Sequence, residues 1–152
     1  MASVFCMPLA VNPKARHSFD LIEQFEGGLV LTGAEVKATM QGNANIKGAF
    51  VTLRHGELWL RNAYIGHYTP SGPQPEGAER RDRKILVHKK EIRTLIMRHE
   101  AERLTMIPLD IHLSKRRIKL SFALARGKRK HEKRASIKKR EVDREIRRAL
   151  KS

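Results

Sequence analysis

Cysteine is almost missing: Cys6 is the only one among 152 residues. An intramolecular disulfide and a multi-cysteine zinc site are therefore excluded. Aromatic residues are scarce, with one Trp, two Tyr and five Phe, and none occurs after Phe122. No apolar run approaches the roughly 18 residues that cross a membrane as a helix. The opening MASVFCMPLA lacks a basic n-region and a long apolar h-region, so it does not read as a secretory signal and a cytoplasmic protein is expected. No P-loop, GxSxG, HExxH or GxGxxG motif occurs. The seven histidines, 17, 55, 67, 88, 99, 112 and 131, show no metal-ligand spacing to one another or to Cys6. A binder is expected rather than an enzyme, with no cofactor and no metal.

Negative charge is also short. Sixteen Asp+Glu stand against 32 Lys+Arg, a net +16 with the histidines neutral. Such a balance calls for a polyanion, either nucleic acid or an anionic membrane surface. The charge is unevenly placed. Residues 127–152 hold twelve Lys/Arg against four acids, a net +8, so half the charge sits in about a sixth of the chain. This tail is too poor in apolar residues to offset its chain entropy and is expected to be mobile when free. Ala135, Val142, Ile146, Ala149 and Leu150 nevertheless fall at helical spacing on one thin stripe. The tail thus supports two readings: a solvated basic segment, or a helix that forms on a polyanion. The stripe has no aromatic face of the kind a membrane-surface helix uses.

The body reads as β-rich. Phe19, Leu21, Glu23 and Phe25 alternate up to Gly27-Gly28, with Leu29–Thr32 next, a hairpin pattern. Residues 34–41 read as a short helix stopped by Gly42. Ala49–Leu53 and Leu58–Arg61 flank a Gly-containing turn, a second hairpin. Residues 69–79 carry three Pro and two Gly and read as an exposed loop. His88–Arg103 reads as a helix with Ile92, Leu95 and Ile96 inward. Leu109, Ile111 and Leu113, then Ile118, Leu120, Phe122 and Leu124, alternate with polar or small residues about a turn at Ser114–Arg117, a third hairpin. Short strands with close turns imply a small antiparallel barrel, mainly β, with the longer helix covering an open end.

Three sets of residues carry binding chemistry. Asn12, Lys14, Arg16 and His17 lie in an opening arm, where an amide can meet a base edge and cations can meet phosphates. Arg83 and Lys84, in the run Arg80–Lys84, sit beside a strand. Lys37 lies in the short helix. The arm and the basic run are each equally consistent with a solvated polar surface, and a lone lysine such as Lys37 is usually just surface. No paired-aromatic signature of a single-strand reader is present, so recognition of a folded RNA by backbone and shape fits better.

Five blocks in order then carry a family resemblance. They are Asn12–His17, Phe25–Lys37, Gly42–Ile46, Arg83–Ile92 and Ala123–Arg134. Together they resemble small protein B, the family of bacterial SsrA-binding proteins, from about Asn12 to the C-terminus. The resemblance implies an OB-like barrel, placed at 12–126 by the charge boundary that opens the basic tail at 127–152, and residues 1–11 are expected to be a flexible N-terminus. It implies binding to the tRNA-like domain of transfer-messenger RNA and delivery to stalled ribosomes for trans-translation. Alanyl-tRNA synthetase and elongation factor Tu would be engaged indirectly, through the RNA. A monomer is expected. Asn12, Glu26 and Leu86 match RNA-facing positions, and Asn43, Asn45 and His88 lie in the matching blocks. The tail residues Gly127, Lys128, Arg129, Lys130, His131, Lys133, Arg134, Lys138, Lys139 and Arg140 would enter the empty message channel near the small-subunit decoding centre.

Three departures from the family pattern stand out. Ala38-Thr39-Met40 replaces the usual Ser-Leu-Arg, Pro13 replaces a basic residue, and Glu132 replaces Asp. Competing readings are a general RNA-binding or ribosomal module, an RNA-processing enzyme and a membrane-surface binder. The enzyme would need a metal site or an acid/base cluster that the residues do not supply.

Overall fold

The computed structural model describes residues 7–127, 140–142 and 144–149. In chain order the elements are β1 (Met7–Val11), α1 (Ala15–Ser18), β2 (Phe19–Leu29), α2 (Gly33–Met40), β3 (Ala44–Asn45), β4 (Phe50–Arg54) and β5 (Glu57–Arg61). They continue with β6 (Tyr64–Ile65), β7 (Arg83–Leu86), α3 (Lys89–Glu102), β8 (Thr105–Ser114) and β9 (Arg117–Gly127). The segment between β6 and β7 holds two single 3-10 turns, Thr69–Ser71 and Ala78–Arg80, in otherwise irregular chain.

The main sheet runs β1-β8-β4-β5-β7-β2-β9, and β9 returns to pair with β8. Every pairing is antiparallel, so β8, β4, β5, β7, β2 and β9 close into a ring. Closure removes the exposed edges that an open sheet of this length would carry. Ile46, Leu58, Leu60, Ile85, Ile111, Leu120, Phe122 and Leu124 fill the interior, with Leu95 of α3 and Leu104 in the same cluster. Ile92 and Ile96 are half-buried beside Leu95, as the helix period requires. A smaller cluster lies on the other face of β8 and β9: Ala15, Ile107, Leu109, Ala123 and Ala125, flanked by Phe19 and Leu21.

Bulges assign side chains to these two faces. The β8–β9 register shifts between Pro108 and Asp110, which leaves Leu109 as the extra residue. Leu109 therefore joins the smaller cluster while Ile111 faces the barrel interior, so the expected simple alternation of Leu109 and Ile111 does not hold. Pro108, which has no N–H to donate, sits at this irregularity, the position a sheet tolerates for proline.

Two further expectations from the sequence are corrected. Gly27-Gly28 is not a hairpin turn. β2 runs unbroken from Phe19 to Leu29, pairs with β9 through Gly28, and passes to β7 at Gly28 and Leu29. The missing side chain serves close approach: a Cβ on Gly27 would stand 2.5 Å from Ile85 Cγ2 and 3.0 Å from the Leu86 carbonyl oxygen. Gly27→Ala should therefore destabilise by about 1–3 kcal/mol, because buried Ile85 and a backbone oxygen cannot yield freely. Urea titration checks this. Gly66→Ala is the contrast, since the atoms nearest its Cβ belong to the exposed Asn43 amide, which can rotate away. The second correction concerns the N-terminus, where residues 7–11 form β1, paired with Asp110–Leu113 of β8, and are not a free arm. Residues 1–6 lie outside the described residues.

Candidate nucleic-acid interface

The β2, β8 and β9 ladders put one set of polar side chains on the outer face of the barrel. Glu26 pairs with Ser121, and His112 pairs with Lys119. Period two along each strand then brings Glu26, Lys119 and His112 together. Lys119 Nζ lies 3.0 Å from Glu26 Oε1. His112 Nδ1 lies 2.7 Å from Asp110 Oδ1. Its Nε2 is 3.3 Å from Glu26 Oε2, outside hydrogen-bond alignment. Partial burial opposes ionisation of Glu26, yet the Lys119 ammonium, with His112 behind it, outweighs that effect and holds the carboxyl below its ordinary value. Glu26 is therefore a fixed anion on a basic surface, able to accept hydrogen bonds and suited to a base amino group or a ribose hydroxyl rather than a phosphate.

Beside it opens a groove of about 910 Å³, walled by β2, α2, the β7–α3 junction and the β8–β9 turn. Leu31, Val36 and Val87 line the apolar part, and Met40 and Leu86 reach into it while staying 46% and 54% exposed. Two large apolar side chains left this exposed on a charged protein make a platform on which a base or ribose can pack. Lys37, His88, Arg116, Arg117 and Lys119 also line this groove. Of these, Lys119 is paired with Glu26, while Lys37, His88, Arg116 and Arg117 form no ion pair or side-chain hydrogen bond among the described residues. Lys37, Arg116 and Arg117 are thus cations without protein partners among the described residues, free to meet phosphates.

The walls are held by Glu35. Thr32 caps α2: its hydroxyl accepts from the Glu35 N–H at 3.2 Å, and the Thr32 N–H donates to Glu35 Oε1 at 2.9 Å. The same carboxylate accepts Arg83 Nε at 2.7 Å and both Nε and Nη2 of Arg81. Arg83 is fully buried, and its remaining donors go to the carbonyls of Ala63, Arg81, Ala78 and Glu79. Burial would raise the Glu35 pKa, but Arg81, the Thr32 N–H and Arg83 together overcome it and hold the carboxyl below its ordinary value. One side chain thus fixes α2, the loop 66–82 and the start of β7 relative to each other.

The residues singled out in the sequence divide accordingly. Glu26, Lys37, Leu86 and His88 come together in the groove region. Arg83 does not belong there: all its donors are spent inside the protein, and no RNA can reach it. Lys84 is tied to Glu57 at 3.0 Å. Asn45 builds a turn, its Oδ1 accepting the Lys47 N–H at 2.8 Å, while Asn43 is exposed next to Gly66. Asn12 donates its amide to the Pro108 carbonyl at 3.0 Å and so anchors the arm to the bulge of β8. Lys14 and Arg16 are exposed and His17 is half-buried, all on α1 or at its start. This arm packs on the end of β2 and β9 where Phe19 pairs with Gly127, about 25 Å along the strand from Lys119. Arm and groove are separate surfaces, and the tail leaves from the arm end.

Sequence reasoning does not single out Arg116, Arg117, Lys119, Met40 or His112 as site residues. The run Lys115-Arg116-Arg117 is visible as charge but reads only as a turn. The spacing Thr32-x-x-Glu35 is a capping-box signature that could also have pointed to Glu35. Of the tail, residues 140–142 and 144–149 are helical, with Val142 and Ile146 exposed. Lys128, Arg129, Lys130, His131, Lys133, Arg134, Lys138 and Lys139 lie outside the described residues, as do Ala135 and Leu150 of the apolar stripe.

A closed antiparallel barrel, with cations that have no partner among the described residues around an apolar groove, defines an OB-like, nucleic-acid-binding barrel. Comparison with known proteins narrows this class. The family model described as SmpB protein matches residues 9–152, and the chain belongs to that family. The SsrA-binding protein of Trichormus variabilis is 43% identical over 141 residues, covering 93% of this chain and 91% of the relative. That of Mycolicibacterium smegmatis is 42% identical over 142 residues, covering 93% and 88%. A solved chain described as "tmRNA-SmpB: a journey to the center of the bacterial ribosome" has 37% identity and a TM-score of 0.64, covering 84% of this chain and 92% of that one.

Proposed function

We propose that this chain binds the tRNA-like domain of transfer-messenger RNA, carries it to stalled ribosomes and enables trans-translation. The groove, with Glu26, Lys37, Leu86 and His88, grips the folded RNA. The basic tail enters the empty message channel near the decoding centre of the small subunit. Alanyl-tRNA synthetase and elongation factor Tu act with the chain through the RNA, and no step requires catalysis or a cofactor. The protein works in the cytoplasm as a monomer.

The observation that carries this reading is the groove: partner-free cations stand around an exposed apolar platform and a fixed carboxylate, in a chain of the SmpB protein family. Among the described residues, no group of His, Cys, Asp and Glu could hold a metal ion, and no helix is long and apolar enough to cross a membrane.

A gel-shift titration tests the proposal. Transfer-messenger RNA should be bound in preference to bulk tRNA, with log K falling linearly against log salt as counterions are released. Equal affinity for both RNAs overturns it.

A further inference from the structure

The β8–β9 hairpin turns through two residues, Lys115 and Arg116, between the paired Ser114 and Arg117. Both have positive φ, +50° and +63°. A two-residue hairpin with both positions left-handed is the turn that favours Asn-Gly, because most side chains are strained there. At the two-residue hairpin His55-Gly56 the chain meets that preference at the second position, a glycine with φ +72°, and only His55, with φ +52°, is a non-glycine there. At the β8–β9 turn it sets two long cationic side chains into the strained conformation instead. Residues held in disfavoured backbone regions concentrate at functional sites.

The location supplies the function. Arg116 and Arg117 line the groove next to the Leu86 and Met40 platform. Lys115, at the tip, is exposed, as are both arginines. None of the three has an ion pair or side-chain hydrogen bond among the described residues. The surrounding cations differ: Lys84, Lys119, Arg81 and Arg83 all hold carboxylates.

We propose that the Lys115-Arg116-Arg117 turn is a phosphate clamp. It holds the RNA backbone on the lip of the groove and so sets a nucleotide against Leu86 and Met40. The left-handed turn keeps the two tip cations beyond the strand ends, where a short hairpin of Asn-Gly would present none. This inference rests on the RNA reading above and names a contact surface within it.

The test separates strain from charge. Lys115→Asn with Arg116→Gly relieves the backbone and removes two cations together. This variant should melt several degrees higher than the parent, yet bind transfer-messenger RNA about tenfold more weakly at low salt. Its log–log salt slope should fall by about two, roughly one per lost phosphate contact. Lys115→Gln with Arg116→Gln keeps the strained backbone and should lose the same affinity with no gain in melting temperature. A stabilised Asn-Gly variant with unchanged affinity and unchanged slope overturns the clamp while leaving the RNA reading intact. A parent protein without preference for the RNA overturns both.

Discussion

Replacing Glu35 by alanine should cost about 3–5 kcal/mol of folding stability and lower the melting midpoint by roughly 10 °C. The cause is the charge stranded by the substitution. Arg83 would stay fully buried with a guanidinium whose carboxylate partner is gone, and an uncompensated buried charge is far more costly than a missing surface contact. Arg81 loses the same partner, and α2 loses half of its capping box. Arg83→Met is expected to be costly for a different reason, since the carbonyls of Ala63, Ala78, Arg81 and Glu79 lose their donor. The double variant should cost less than the two single changes added together, because the unpaired charge is absent from it. Additive losses would show that Glu35 and Arg83 are not energetically coupled.

The pH dependence has a definite sign. The Glu35 carboxyl is held below its ordinary value of 4.5 in the folded protein. Its contribution is therefore fully present at neutral pH, begins to fall near pH 4.5, and is lost as pH drops through the lower folded value. The stability gap between the parent and Glu35→Ala should narrow on acidification over that range. Chemical denaturation at pH 7 and across pH 5 to 3 measures it, and a gap that widens on acidification contradicts the assignment. Because Glu35 also sets α2 against β7, the variant should weaken RNA binding: Lys37 and Met40 sit on the helix it anchors.

Local signals make much of this architecture legible in the sequence. The turn at His55-Gly56, the stop at Gly42 and the alternation of Ile118, Leu120, Phe122 and Leu124 each specify structure within a few residues, and the corresponding elements form. Signals that depend on distant partners are not legible. Arg83 lies in a basic run whose members look alike, and its burial depends on Glu35, 48 residues earlier. Gly27-Gly28 carries the composition of a turn, and only the packing of β7 over Gly27 reveals the strand crossing. Within the site, Glu26 and Leu86 stand out by family likeness, whereas Arg116 and Arg117 become site residues only once the barrel closes and places their turn beside α2. Charge in the sequence thus locates the chemistry without distinguishing the cations bound to carboxylates from those left for a ligand.

Ending the chain after Gly127 should leave preferential binding of transfer-messenger RNA intact and reduce peptide tagging on stalled ribosomes to background. The groove and its walls lie within residues 26–119, and Gly127 ends β9 at the opposite end of the strand. Removing residues 128–152 leaves the barrel pairing untouched and takes a net +8 from the chain. Loss of this charge should reduce long-range attraction to any RNA, so parent and truncated chain are best compared at salt high enough to screen exposed charges beyond about 8 Å. Under those conditions the preference over bulk tRNA should persist, while tagging in a reconstituted translation system should vanish. Loss of the preference would mean that tail and groove form one binding surface; retained tagging would mean that the tail is dispensable on the ribosome. A second variant separates charge from shape. Val142→Ser with Ile146→Ser keeps every charge but strips the exposed apolar stripe from the tail helix. Diminished tagging in that variant, with RNA binding unchanged, would require the helix to dock by its apolar face as well as its cations.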